Sequence, residues 1–157
     1  MGAVVLITMF IPKLAYAEDI RLTEEIVQRY IATYPDIWKL TKETEKASKI
    51  KSDEEKKEKL AAIDIQKDDL LKSNQWADIF EYNDVGSRIL QLNIQLNVKG
   101  IFAKLNDERN PKAMEAIKKL QDELGFQLEE ITAVMKYNSE LNKMYIKAGL
   151  RKKWIEV

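Results

Sequence analysis

The chain has 157 residues, with 26 Lys and Arg against 26 Asp and Glu, no histidine and no cysteine. That balance removes any global attraction to nucleic acid, and the missing residue types exclude Ser-His and Cys-His nucleophile pairs, thiolates and His/Cys metal sites. An enzyme built on this chain would have to use carboxylates, lysine or tyrosine as acid and base. No glycine-rich phosphate loop, nucleophile elbow or zinc spacing is found, so no enzyme, catalytic residue, metal or cofactor is expected.

The first element is an apolar run, Gly2–Ile11, followed by Pro12, Lys13, an Ala15-x-Ala17 pair and the charged Glu18 and Asp19. This is the pattern of a secretory signal peptide cut after Ala17, apart from a positive residue ahead of the run, which a start site a few codons upstream would supply. A retained membrane span needs roughly 20 apolar residues, and Lys13 ends this run early. The expectation is a leader over residues 1–17 and one exported domain over 18–157, periplasmic or secreted, without stable membrane insertion. A domain of that size buries roughly two-thirds of its unfolded surface. Lacking disulfides, it relies on packing alone. Only four Gly and two Pro remain after the leader, and abundant Glu, Lys, Leu, Ala and Ile favour long helices.

Thr23 is an N-cap for the first helix, with Glu24 and Glu25 at its positive end and Leu22 placed to staple onto Val27. The apolar stripe Ile26, Val27, Tyr30, Ile31 and Tyr34 runs to Pro35, which is expected to stop or kink the helix. A second helix follows from Asp36, with Ile37, Leu40, Ala47 and Ile50 on one side. Between Lys39 and Lys59, 14 of 21 residues are charged, with mixed signs. Pairs such as Glu45 with Lys49 and Glu55 with Lys59 fall at i, i+4. The run reads as a solvated face, against the alternative of a charged docking surface. Ser52-Asp53-Glu54-Glu55 is a capping box for a third helix, whose Leu60, Ile63, Leu70 and Leu71 face inward. Ser73-Asn74 marks a turn, and Trp76 and Phe80 read as anchors of the next element.

Leu90, Leu92, Ile94, Leu96 and Val98 alternate with Gln and Asn in the manner of a strand. A strand needs a partner, and no second candidate exists. The segment is therefore read as a central helix buried nearly all round, its amides filling gaps between neighbours. Asn110-Pro111 starts the next helix, with a stripe of Met114, Ile117, Leu120 and Leu124. Gly125 is its C′ residue, and Phe126 folds back. One last helix carries Leu128, Ile131, Val134, Met135, Leu141, Met144 and Tyr145, and Gly149 ends it. The whole predicts an all-α, antiparallel bundle of five or six helices.

Four aromatic residues form the candidate binding face: Tyr30, Tyr34 and Trp38 at i, i+4 and i+8, joined by Trp76. Such a stripe either lines a groove or packs in the core. Asp64 and Asp68 lie one helical turn apart with Asp69 adjacent, which could hold a cation or act as acid and base, but no calcium-loop pattern surrounds them and Lys67 and Lys72 would neutralise them. Leu150-Arg151-Lys152-Lys153-Trp154-Ile155 mixes basic and aromatic residues and reads either as a contact for a partner or lipid, or as a charged helix cap. Leu22-x-Glu24-Glu25-Ile26 and Leu128-Glu129-Glu130-Ile131 read as two similar helix starts, not a repeat.

The segment Leu22–Ile37, placed after a signal peptide, resembles the opening of small uncharacterised exported helical proteins of Gram-negative bacteria, with a Leu-Thr start, an aromatic-Ile pair and an aromatic-Pro break. Gly125-Phe126-x-x-Glu129-Glu130 is similar to a second feature of those proteins. The resemblance covers about a quarter of the chain. It implies a helical fold and a periplasmic location, and no activity. The Leu22-Thr23 start is also similar to periplasmic helical chaperones of the LTxxQ type, from which it departs at Ile26. The functional expectation is an exported interaction module that binds another protein or itself, and no nucleic acid. A small-ligand protein with an aromatic-lined pocket is the alternative, with a helical chaperone or carboxylate-based enzyme third.

Overall fold

The computed structural model describes residues 20–98 and 111–150, and among these it is a helical bundle with no strand. Among the described residues six helices follow in order: α1 (Glu24–Ala47), α2 (Asp53–Ser73), α3 (Ile79–Val98), α4 (Pro111–Leu124), α5 (Leu128–Lys136) and α6 (Asn138–Lys147). The expected leader over residues 1–17 with Ala15 and Ala17, Asn110, and Arg151–Ile155 lie outside the described residues.

Thr23 caps α1 as its sequence requires: its Oγ1 accepts the Ile26 N–H at 3.2 Å. Leu22 and Val27, the expected staple, are both fully buried in the same core cluster. Pro35 does not end the helix, which runs on to Ala47, so the two expected helices are one. Proline removes one backbone hydrogen bond and crowds the preceding turn. Here it sits on the exposed side, while Tyr30, Thr33 and Ile37 hold both halves against the core. Tertiary packing outweighs the local penalty.

The charged run spans the end of α1, the turn and the start of α2, and is largely exposed. Its ion pairs are not the expected ones. Lys42 meets Glu45 at 3.0 Å and Lys56 meets Asp53 at 3.5 Å, both at i, i+3. Ser52 caps α2 through the Glu55 N–H. Only Ile63 and Leu71 of α2 are fully buried, with Leu60 and Leu70 half-buried.

After the turn, Asp78 and Glu81 cap α3 reciprocally. Asp78 Oδ1 accepts the Glu81 N–H at 2.8 Å, and Glu81 Oε2 accepts the Ala77 N–H at 2.6 Å. Trp76 is a core anchor, but Phe80 is 73% exposed, because the inward stripe of α3 runs through Tyr82, Val85, Ile89, Leu92 and Leu96. The alternating segment is helical. Of residues 90–97 only Gln91 is exposed, and Asn93 is buried. In α4, Ile117 and Leu120 are buried while Met114 is 60% exposed. Gly125 closes α4 at φ 69°, and the Phe126 N–H returns to the Leu120 carbonyl, burying the Phe126 ring. The expected last helix is divided at Tyr137 into α5 and α6. Leu128, expected in its apolar stripe, is 55% exposed at the start of α5. Gly149, at φ 75°, ends α6.

Two polar clusters lie inside the bundle. Glu130 of α5 is 1% exposed. Its carboxylate accepts from the Leu22 N–H at 3.1 Å, the Gln127 N–H at 2.8 Å and the Arg88 side chain of α3 at 2.6 and 2.7 Å. Four asparagines join α3 to α6. Asn93 Nδ2 donates to Asn138 Oδ1 at 2.8 Å, Asn97 Nδ2 donates to the same oxygen at 3.2 Å, and Asn142 Nδ2 donates to Asn97 Oδ1 at 3.3 Å.

Candidate functional site

The expected aromatic face is brought together, but as packing rather than as a lining. Tyr34 and Trp38 are half-buried and stacked, with ring centroids 6.2 Å apart and planes 8° from parallel. Tyr30 lies 5.7 Å from Tyr34 and 5.3 Å from Tyr82, and Tyr82 meets Trp76 edge-on at 5.4 Å. Tyr145 of α6 closes the group against Tyr34 at 5.9 Å. Tyr30 and Trp76 are core residues, and the Trp76 Nε1–H is satisfied by Thr33 Oγ1 at 3.0 Å. Two cations lie over the tryptophan rings: Arg29 is 4.9 Å from the Trp76 ring, and Lys42 Nζ is 4.4 Å from the Trp38 ring. Burial raises the phenols of Tyr30, Tyr82 and Tyr145 well above their ordinary value, so all three stay neutral across the physiological range.

Among the described residues, a concave feature open to solvent lies between α1, α2 and α3. It is a groove of about 440 Å³. Ile37 and Thr41 of α1, Leu71 of α2 and Ile79 of α3 give it an apolar floor with one hydroxyl. Carboxylates from two elements form its rim: Asp64 and Asp68 of α2, and Asp78 at the head of α3. Helix periodicity puts Asp64, Asp68 and Leu71 on one side of α2, and the capping role of Asp78 fixes its side chain beside the groove.

The charge on this rim is only partly answered. Asp68 pairs with Lys72 at 2.6 Å. Lys67 lines the groove but donates to Thr44 Oγ1 at 3.0 Å. Asp64 has no hydrogen-bond or ion-pair partner among the described residues. Asp69, the third carboxylate of the sequence cluster, is not among the lining residues. No group of three His, Cys, Asp or Glu able to hold a metal occurs among the described residues. The groove therefore offers a place for a cationic, partly apolar group.

Asp78, Ile79 and Asn83 were not singled out as site residues from the sequence. The available signal was local: Asp78 followed three positions later by Glu81, ahead of an apolar run, is a helix-start signature. It locates a cap and does not disclose that the cap faces α2. A shallower, acidic hollow involves Thr23, Glu24 and Glu25 of the α1 head and Leu128, Glu129 and Thr132 of α5, where Lys136 reaches Glu24 at 2.5 Å. No helix among the described residues is long and apolar enough to cross a membrane. No family model, curated protein or solved structure matches the chain.

Proposed function

We propose that the protein is an exported interaction module, an antiparallel helical bundle that docks a cationic, partly apolar segment of a partner protein in the groove between α1, α2 and α3. One observation carries this reading: an apolar floor of Ile37, Leu71 and Ile79 is flanked by Asp64, Asp68 and Asp78 from two different elements. Lysine and arginine side chains suit such a surface, because their methylenes cover apolar ground while their charged ends reach the rim. The aromatic-pocket alternative loses its support, since Tyr30 and Trp76 are core residues packed ring on ring. The acid–base alternative is weakened by the ion pair that Lys72 forms with Asp68. Export rests on the Ala15-x-Ala17 pattern.

The test places a photo-crosslinking residue at Asn83, in the groove, and separately at Lys118, on the exposed side of α4, in the exported chain. A discrete partner is expected from Asn83 alone. Its affinity for the purified protein should fall about ten-fold or more in the variant carrying Asp64→Asn and Asp78→Asn. Identical capture from both positions, or unchanged affinity in the variant, would overturn the reading. The mass of the recovered protein tests export separately. An amino terminus at Glu18 supports it, and an intact Met1 in the cytoplasm refutes it.

A further inference from the structure

We infer that the groove between α1, α2 and α3 takes the outer face of α6 from a second copy of this chain, so that the protein associates with itself; this rests on the groove being a docking face. Helix α6 packs inward through the buried Leu141 and Tyr145, and its outward side carries Lys143, Ile146 and Lys147. Ile146 is 52% exposed, and neither lysine has a hydrogen-bond or ion-pair partner among the described residues. This is a cationic, partly apolar surface of the kind the groove suits.

The two faces match in register as well as in sign. Asp64 and Asp68 stand at i and i+4 on the α2 side of the rim, and Lys143 and Lys147 stand at i and i+4 on α6. Each pair spans a helical rise of about 6 Å, so two helices laid side by side bring both lysines to both carboxylates. Asp64 has no partner of its own, and Asp68 is shared with Lys72. Lys67, which also lines the groove, is turned aside to Thr44 Oγ1 at 3.0 Å. Ile146 lies beside the lysines and faces the floor of Ile37, Leu71 and Ile79. Phe80, 73% exposed, stands one turn before the groove residue Asn83 on the same side of α3 and widens the apolar ground.

The same molecule cannot supply this contact. Its own α6 is held against α1 by Tyr145 on Tyr34 at 5.9 Å, and against α3 by Asn138 and Asn142. That packing turns Lys143 and Lys147 away from the bundle. Helix α4 also exposes an apolar side chain, Met114, but its lysines are answered within the helix. Lys119 meets Glu123 at 3.5 Å, and Lys118 has Glu115 and Asp122 one turn away on either side. Opposite charges at an exposed rim set orientation and respond to salt, while covering the floor supplies an apolar term.

Sedimentation equilibrium of the full chain at up to about 300 μM, where a small interface associates, should show reversible self-association. It should weaken as NaCl rises from about 20 mM to about 500 mM. Two variants reverse the charges, one with Asp64→Lys and Asp68→Lys, the other with Lys143→Glu and Lys147→Glu. Circular dichroism first confirms native helix in each. Either variant alone should associate about ten-fold or more weakly than the native chain, because like charges meet. An equal mixture of the two should regain the native affinity, because opposite charges meet again. Lys118→Glu should change nothing. Where a reversal costs helix, Asp64→Asn with Asp68→Asn, or Lys143→Gln with Lys147→Gln, should show the weakening without the rescue. A native chain that stays monomeric, a charge change that leaves association untouched, or a mixture that regains nothing would each overturn the inference. A monomeric chain whose position 83 still captures a different protein removes only this inference. Identical capture from positions 83 and 118 removes the docking reading and this one with it.

Discussion

Arg88 of α3 and Glu130 of α5 are joined by two hydrogen bonds, Nε to Oε1 at 2.6 Å and Nη2 to Oε2 at 2.7 Å, and the guanidinium also lies 4.6 Å from the Phe126 ring. The same carboxylate holds the Leu22 N–H just ahead of α1 and the Gln127 N–H at the head of α5. One buried side chain thus ties three parts of the bundle together. Removing one partner of such a pair leaves a buried charge uncompensated, at a cost of about 3–5 kcal/mol. Arg88→Ala should lose stability on that scale in urea unfolding. Arg88→Met combined with Glu130→Leu should lose less, because no lone charge remains. A double variant as unstable as Arg88→Ala would show that the charge imbalance is not the cause.

The same pair sets an acid dependence. Burial works to raise the Glu130 pKa, but the Arg88 hydrogen bonds and the N–H groups of Gln127 and Leu22 outweigh it and hold the carboxyl below its ordinary 4.5. A group whose pKa is lower in the folded state stabilises above its unfolded value, and that contribution is lost as pH falls through the folded value. The stability gap between the native protein and Glu130→Gln should therefore be constant above pH 4.5 and shrink below it. A gap unchanged down to about pH 2 would contradict this linkage.

What the sequence discloses here is mostly local. Thr23, Ser52 and Gly125 mark helix ends through bonds to their own neighbours, and they do so in the structure. The misreadings are places where distant packing decides. Pro35 is tolerated because residues on either side of it are anchored in the core. Phe80 is outside and Trp76 inside because α3 turns its Tyr82–Leu96 stripe inward, a rotation that the apolar count around Phe80 does not set. The bond from the Leu22 N–H to Glu130 spans 108 positions, and nothing at helical spacing announces it. The groove is legible in part. Asp64 and Asp68 stand out at one turn's separation, but Asp78 joins them only once α3 packs beside α2.

Gly86 is a close-approach position. A Cβ built there would lie 2.8 Å from Cε2 of the Tyr30 ring. In an open helix, Gly→Ala stabilises by about 1 kcal/mol. Here the clash should reverse the sign, and Gly86→Ala should cost about 1–3 kcal/mol, lowering the melting temperature. Tyr30→Phe should not rescue it, because the nearest atom is a ring carbon and not the hydroxyl. Full rescue by Phe would place the strain at the hydroxyl instead.

The buried phenols predict an alkaline limit. Tyr30, Tyr82 and Tyr145 are raised by burial from the ordinary 10.0. A raised pKa means that the unfolded chain releases these protons first, so stability is intact below pH 10.0 and falls as pH rises above it. After a pH jump, tyrosinate absorbance from these three residues should appear with the loss of helical circular dichroism and at the same rate. Full ionisation of all tyrosines before any helix is lost would mean that the cluster is open to hydroxide.

The four asparagines between α3 and α6 form a network in which each amide depends on others. Asn93 is 1% exposed and donates to Asn138 Oδ1 at 2.8 Å and Asn142 Oδ1 at 3.3 Å, while Asn97 Nδ2 also bonds the Asn93 carbonyl at 2.6 Å. Asn93→Leu nearly conserves volume but strips a donor from two acceptors in a poorly hydrated place. Its cost should be about 1–3 kcal/mol. Asn138→Leu alone should also be costly, because it takes away the oxygen that both Asn93 and Asn97 use. Replacing both partners removes donor and acceptor together, which is far cheaper than orphaning either. The double variant should therefore be more stable than the sum of the single losses implies, with a coupling of about 0.5 kcal/mol or more in a double-mutant cycle. Simple additivity would show that water satisfies the orphaned amides. In that case these asparagines would not hold α3 and α6 in register.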